Sequence, residues 1–249
     1  MTVCPQPPSR PQRPQLSSPD AQTIQHLFNR IAPAYDRLNQ LLSLGQHMVW
    51  KQMTVKWATP QPGDACLDVC CGSGDIARLL ARHIQNQGLV IGLDFSPEQL
   101  AIARQRTDNR VQPLHITWLE GDALNMAFDN EQFDVVTMGY GLRNIVDIPQ
   151  GLREIYRVLR AGGRAAILDM HRPYNDTIRS FQEWYLDAIV TPAADTLGLR
   201  QEYAYISSSL AKFPTGADQV RLAQQVGFST ATHYAIAGGM MGVLVITKA

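Results

Sequence analysis

The stretch from Cys66 to Ser96, CLDVCCGSGDIARLLARHIQNQGLVIGLDFS, commits the chain to a βαβ unit. An apolar strand ends at Asp68, a turn is built on Gly72 and Gly74, an amphipathic helix follows, and a second apolar strand ends at Asp94. Glycines let a backbone turn approach a ligand where a Cβ would clash, and the helix after it presents free N–H groups to the same place. An acid closing the second strand, here Asp94 with Phe95 beside it, is placed to accept from both hydroxyls of a ribose. The unit is therefore read as a nucleotide site, and which nucleotide it holds decides the function.

Two cofactors compete for it. Gly72-Ser73-Gly74-Asp75-Ile76-Ala77 satisfies G-x-G-x-x-G/A, and Asp94 stands 20 residues beyond Gly74, as a dinucleotide fingerprint requires. NAD is thus a live reading. Against it, Asp68 and Asp75 set carboxylates around the turn, where a pyrophosphate would meet Coulomb repulsion in a dry pocket. S-Adenosylmethionine (SAM) has no phosphate and carries an ammonium and a sulfonium, so the charge favours SAM. A turn that merely joins strand to helix is the bland alternative, and the acid at Asp94 argues against it.

Composition narrows the class. A chain of 249 residues, 45% of them apolar, suits one large domain. With 22 basic and 22 acidic residues it has no positive field for a nucleic acid. Cys4, Cys66, Cys70 and Cys71 lack the paired spacing of a metal site and read as reduced thiols, so neither zinc nor a disulfide is expected. Residues 1–20 hold six prolines and are expected to be a disordered tail, followed by a single domain over 21–249 whose residues 21–60 form an N-terminal helical cap. No apolar run is long enough to span a bilayer, so the expected location is cytoplasmic, with at most peripheral membrane contact.

From Ala65 onwards strands and helices alternate: Ala65 to Cys70, a helix from Asp75, Leu89 to Asp94, a helix from Pro97 capped by Ser96, Ile116 to Glu120, Phe133 to Met138, a helix from Ile148 to Leu159 ended by Gly162-Gly163, and Arg164 to Met170. Alternation of this kind implies a parallel sheet with helices on both faces. After a helix near Thr215 to Val226, Thr232 to Ala237 and Gly242 to Lys248 are separated only by a glycine turn, so they must pair as an antiparallel hairpin. An α/β, Rossmann-like, seven-stranded sheet finished by that hairpin resembles the class I SAM-dependent methyltransferases, and dinucleotide dehydrogenases do not end this way.

Two further stretches carry a more specific resemblance. Phe28-Asn29-Arg30-Ile31-Ala32-Pro33-Ala34-Tyr35-Asp36, with Leu42-Ser43-Leu44-Gly45-Gln46-His47 and Trp50-Lys51 after it, is similar to the N-terminal signature of the UbiE/MenG quinone-biosynthesis methyltransferases. Gly139-Tyr140-Gly141-Leu142-Arg143-Asn144-Ile145-Val146-Asp147 resembles a second signature of that family, and agreement runs from about residue 24 to the end. The turn at Cys70-Cys71-Gly72-Ser73-Gly74 resembles the phototroph branch, which implies SAM-dependent C-methylation of a phytylated naphthoquinol, the methyl step of phylloquinone formation. A demethylmenaquinol or a benzoquinol on the way to ubiquinone stays open as the ring.

The resemblance also distributes roles. It implies that Asp94 and Phe95 serve the ribose end of the cofactor, Asp122 and Ala123 the adenine, Gly72, Ser73, Gly74 and Asp68 the methionine end, and Gly139 the floor. It implies that Arg143 and Asn144 orient the quinol oxygens, with Tyr140 and Tyr35 closing over the ring. The bland readings are that Arg143 pairs with Asp147 four residues on, that Asp122 caps a helix, and that both tyrosines are core. An apolar face from Phe181 through Trp184, Tyr185 and Ile189 to Val190, with Leu41, Leu42, Leu44 and Met48, is the candidate path for a long tail. Rival functions are an NAD-dependent oxidoreductase and a SAM-binding protein without catalysis.

Overall fold

The computed structural model describes residues 19–32, 40, 43, 45–108, 114–196 and 200–249. Seven strands form one sheet in the order β3-β2-β1-β4-β5-β7-β6: β1 Ala65–Val69, β2 Leu89–Asp94, β3 Ile116–Glu120, β4 Phe133–Gly139, β5 Leu159–Met170, β6 Thr230–Ile236 and β7 Met241–Thr247. The first five run parallel, while β7 lies antiparallel to both β5 and β6. The expected hairpin is therefore present, and its inner strand inserts between β5 and β6.

Helices cover both faces, which is why the central strands are apolar throughout. They are α1 Pro19–Ile31, α2 His47–Ala58, α3 Asp75–His83, α4 Pro97–Asp108, α5 Ile148–Val158, α6 Asp176–Tyr185, α7 Thr191–Thr196, α8 Arg200–Lys212 and α9 Gly216–Val226. Successive residues of a strand point to opposite faces. Leu67, Val69, Val136 and Met138 accordingly pack with Leu152 and Ile155 of α5 and Ala223 of α9. Cys66, Val90, Val135 and Leu168 pack with Val55 and Ala58 of α2 and Ile76 and Leu80 of α3. The caps follow the residue types: the Ser96 hydroxyl accepts from the Gln99 amide at 3.2 Å, and Thr215 forms a reciprocal box with Asp218.

Several strand ends shift by one or two residues from the expectation, and three larger differences have a physical reason. Helix α5 stops at Val158, because Leu159 is fully buried and already pairs with Phe133 of β4; Gly162-Gly163 does not end the helix. The ladder then jumps from Phe133↔Leu159 to Val135↔Arg164, and Gly162, at φ +78°, turns the intervening excursion. Asp122 heads no helix; its Oδ1 accepts from the Leu124 amide at 2.8 Å in a tight turn. Helix α1 begins at Pro19, inside the segment expected to be tail, with proline in the first turn where its missing N–H is harmless. The rest of that tail, Tyr35, Leu41, Leu42 and Leu44 lie outside the described residues.

Candidate active site

Strand order reverses direction between β1 and β4, and loops leaving such neighbours diverge, opening a crevice at their carboxyl ends. A cavity of about 750 Å³, mouth included, lies there. Gly72, Asp94, Phe95, Asp122, Ala123, Gly139, Tyr140 and Asn144 all line it, as expected, with Leu93 and Leu124 for walls and Ile24 and Phe28 of α1 as a cover. Helix α1 is latched to the turn after β2: the Gln25 amide donates to the Phe95 carbonyl, the Ser96 hydroxyl donates to Asn29 Oδ1 at 2.6 Å, and the Phe28 and Phe95 rings lie 6.1 Å apart.

Asp94 is the best-held acid of this cavity. Its Oδ2 accepts from the Gly72 amide at 2.7 Å and its Oδ1 from the Ser96 amide at 2.9 Å. Burial pushes its carboxyl up to about 6 in spite of those amides. The remaining lone pairs suit hydroxyl donors. The charged groups lining the cavity are Asp94 and Asp122, and no described cation joins them. An adenosine without phosphates fits such walls, and a pyrophosphate does not.

Two side chains at the wall are chemically unfinished. Gln99, 1% exposed, has neither its amide nitrogen nor its oxygen bonded among the described residues, and Asn144 gives its Nδ2 to the Tyr140 carbonyl at 2.8 Å while its Oδ1 has no partner. Buried polar atoms are nearly always satisfied, so both point to a ligand that completes them. Tyr140 itself is held at φ +62°, a backbone strain tolerated mostly at functional sites.

A smaller cavity of about 290 Å³ continues from the first past Cys70, Gly72, Gly139 and Tyr140, and is bordered by Lys51, Asp68, Ser73 and Asp75. Asp68 is 1% exposed, accepts from the Ala77 amide at 3.0 Å and the Thr137 hydroxyl at 2.8 Å, and is pushed up to about 7 by burial. Asp75 is different. Against its burial, Lys51 at 2.7 Å and Arg78 hold its carboxyl below the usual range. The acidic rim inferred from Asp68 and Asp75 is thus half cancelled, and the case against a pyrophosphate rests on Asp94 and Asp122 instead.

Gly74 has a different reason to be glycine from the one its motif suggests. A Cβ there would lie 2.3 Å from the Trp118 ring, and one on Gly92 2.4 Å from the same ring; Gly74 borders neither cavity. Trp118 of β3 braces the turn from behind, so packing, rather than ligand approach, excludes a side chain.

Arg143 follows β4 in a single 3₁₀ turn, Leu142–Asn144. Its partner is not Asp147, which caps α5 by accepting from the Gln150 amide at 2.9 Å. Instead the guanidinium pairs with buried Asp169 at the end of β5, its Nε donates to the Ser209 hydroxyl at 3.0 Å, and its backbone amide donates to Asp169 Oδ2 at 2.9 Å. Arg143 does not border the first cavity. It borders a neighbouring one of about 1190 Å³ with Tyr205, Ser208 and Phe213, and the two meet at Ile24, Asn144, Ile145 and Val146.

The sequence reading missed Gln99, Cys70 and Lys51 as lining residues. Gln99 carried a signal: it is a polar residue on the face of α4 that buries Leu100 and Ala103. Lys51 stood inside a recognised signature without a role, because its burial depends on α2 folding across β5 and β4.

Comparison with known proteins agrees with this architecture. A SAM-dependent methyltransferase from Thermotoga maritima superposes with a TM-score of 0.62 at 18% identity, covering 90% of this chain and 99% of that one. A methyltransferase solved with its Trm112 activator from Haloferax volcanii gives 0.64 at 19% identity, covering 88% and 96%. At such identities these establish the fold. In sequence, the 2-phytyl-1,4-naphthoquinone methyltransferase of Trichormus variabilis is 56% identical over 90% of this chain and 98% of its own length. That of Synechocystis is 51% identical over 94% and 98%, and the chloroplastic 2-phytyl-1,4-β-naphthoquinone methyltransferase of Arabidopsis thaliana 49% over 89% and 86%. With residues 16–248 matching its pattern, a strand order that ends in the antiparallel hairpin, and a crevice walled by Asp94 and Asp122, the chain belongs to the ubiE/COQ5 methyltransferase family.

Proposed function

We propose that this methyltransferase uses SAM to methylate the ring carbon of reduced 2-phytyl-1,4-naphthoquinone, the methyl step of phylloquinone formation. The observation that carries a transfer reaction is the shared wall: Asn144 borders both the crevice of Asp94 and the adjoining cavity of Arg143. The choice of ring follows the relatives' substrate, conserved in name from cyanobacteria to a plant.

In this reading Asp94 accepts from the ribose hydroxyls, with Phe95 beside it, Asp122 and Ala123 flank the adenine, and Gly72, Ser73 and Asp68 border the methionine end. Bound there, SAM supplies an electrophilic methyl group. The quinol must be the acceptor, because a quinone ring is electron-poor. Loss of a hydroxyl proton to solvent water would push an electron pair onto the neighbouring carbon, which forms the new C–C bond as the pair of the broken bond stays on sulfur. The ring then loses its C–H proton and regains aromaticity. Arg143 remains protonated and, fixed by Asp169 and Ser209, stabilises the quinolate without acting as the base. Asn144 at the shared wall, and Tyr140 where the crevice meets the smaller cavity, hold the ring against the methionine end of the cofactor, which would let the carbon approach the methyl.

No helix among the described residues is long and apolar enough to cross a membrane. The phytyl tail is assigned to the aromatic side of α6, where Phe181 and Trp184 are half exposed, while Tyr185 and Val190 pack with Leu27 and Phe28 of α1 beside the crevice.

The test is substrate competition. With purified enzyme, SAM and a reductant, kcat/KM for the phytylated naphthoquinol is expected to exceed that for a prenylated benzoquinol by at least about tenfold. Preference for the benzoquinol, or transfer to neither, overturns this reading.

A further inference from the structure

The small cavity at the glycine turn holds a buried cation that its own carboxylates do not fully answer. Lys51 comes from α2, is 5% exposed, and places Nζ 2.7 Å from Asp75 Oδ2. Arg78 takes the other oxygen of that carboxylate, and Arg106 Nη1 stands 3.8 Å from it. Asp75 is thus shared between the buried Lys51 and the partly exposed Arg78. The second acid bordering the cavity, Asp68, is occupied on both oxygens by the Ala77 amide and the Thr137 hydroxyl. An ammonium offers three donors, and among the described residues Lys51 uses one in a hydrogen bond and stands 5.7 Å from the centre of the Tyr140 ring. Lys51 is the one cation among the described residues bordering this cavity, and a buried ammonium with donors left open beside free space marks a place for an acceptor that carries negative charge.

What anion it is follows from what the cavity joins. It opens past Cys70 and Gly72 into the crevice of Asp94 and Asp122, so an anion at Lys51 is one end of a molecule whose other end meets two carboxylates. A chain of phosphates would run along those acids. An amino acid attached to an adenosine instead brings a carboxylate and an ammonium to one end only.

We infer that Lys51 binds the α-carboxylate of the cofactor's methionine portion, while Asp68 faces its ammonium; this rests on the use of SAM proposed above. The ion pair with Asp75 then positions Lys51 from α2 against the turn after β1. It also makes the N-terminal cap part of the cofactor site.

The test is a cycle of ligand against mutant, read by calorimetric titration of the full chain. The probes are S-adenosylhomocysteine, its decarboxylated analogue, and 5′-methylthioadenosine, which lacks the amino-acid end. For the wild type, removing the carboxylate is expected to weaken binding by about tenfold or more, as loss of a charge-assisted hydrogen bond does. In Lys51→Met that difference should disappear: S-adenosylhomocysteine weakens to the level of its analogue, the analogue hardly changes, and Lys51→Arg restores most of the loss. Lys51→Gln, which keeps a donor for Asp75, serves if the methionine variant does not fold. Equal weakening of all three ligands means Lys51 only shapes the turn and overturns the inference, as does a wild type indifferent to the carboxylate. If methylthioadenosine and S-adenosylhomocysteine both fail to bind the wild type, the cofactor reading itself has failed.

Discussion

Arg143 and Asp169 form a buried ion pair that ties the loop after β4 to the end of β5, with side chains 7% and 2% exposed. The pair fixes the guanidinium at the border of the second cavity. Arg143→Ala is expected to lower turnover at least about a hundredfold while S-adenosylhomocysteine binds almost as before. It also strands a buried carboxylate, a loss of about 3 to 5 kcal/mol. Replacing both residues by leucine should recover much of the melting temperature and none of the turnover. Near-normal turnover in either variant would remove Arg143 from the reaction.

The two buried acids set stability against cofactor affinity as pH changes. Burial raises Asp94 to about 6 and Asp68 to about 7, above the ordinary 3.8, so the folded chain holds those protons more tightly than the unfolded one. Their contribution to stability is full below about pH 4 and is lost as pH rises through 6 to 7. Cofactor affinity should move the other way, because only ionised Asp94 accepts from both hydroxyls: the Kd of S-adenosylhomocysteine should rise by up to about tenfold per unit below pH 6. Titrations across that range check the sign, and a flat profile contradicts it.

Gly74→Ala should destabilise the protein by more than about 2 kcal/mol, from a strained backbone and the clash with Trp118. Trimming the ring in Gly74→Ala/Trp118→Leu should return part of that stability by thermal denaturation. If the glycine were there for ligand approach, Gly74→Ala would keep its melting temperature and lose binding alone.

Gln99 predicts a trade. An unpaired buried amide costs about 1 to 3 kcal/mol, so Gln99→Met should raise the melting temperature of the ligand-free protein and weaken S-adenosylhomocysteine by about tenfold. Unchanged affinity would show that the amide serves no ligand.

The exposed aromatic side of α6 predicts association with lipid. The protein should float with lipid vesicles, and Phe181→Ser/Trp184→Ser should leave most of it in the dense fraction. Flotation unaffected by the double substitution would place membrane contact elsewhere.

Strands β2 and β3 were legible to the residue, because apolar runs bounded by acids and glycines leave one reading. The end of α5 was not, since Leu159 satisfies the helical period as well as it fills a place in β5. Site residues on the glycine turn and at strand ends were readable because their positions follow from the βαβ unit. Charge partners were not: sequence offers Asp147 to Arg143 as a neighbour on one helix face, whereas Asp169 reaches it only once β4 and β5 pair. Lys51 neutralises Asp75 from 24 residues away for the same reason, and that pairing cancels half of a charge argument built on local sequence.

Methyl transfer to a reduced naphthoquinone ring can be followed in a single reaction. The most direct measurement incubates the purified protein with methyl-labelled SAM and 2-phytyl-1,4-naphthoquinone, with and without a chemical reductant, and follows label into the lipid phase. Label that appears only under reduction, in a product carrying one more ring methyl, is the predicted result. Label in the lipid without reductant, or none in either case while S-adenosylhomocysteine binds, would rule out transfer to the quinol.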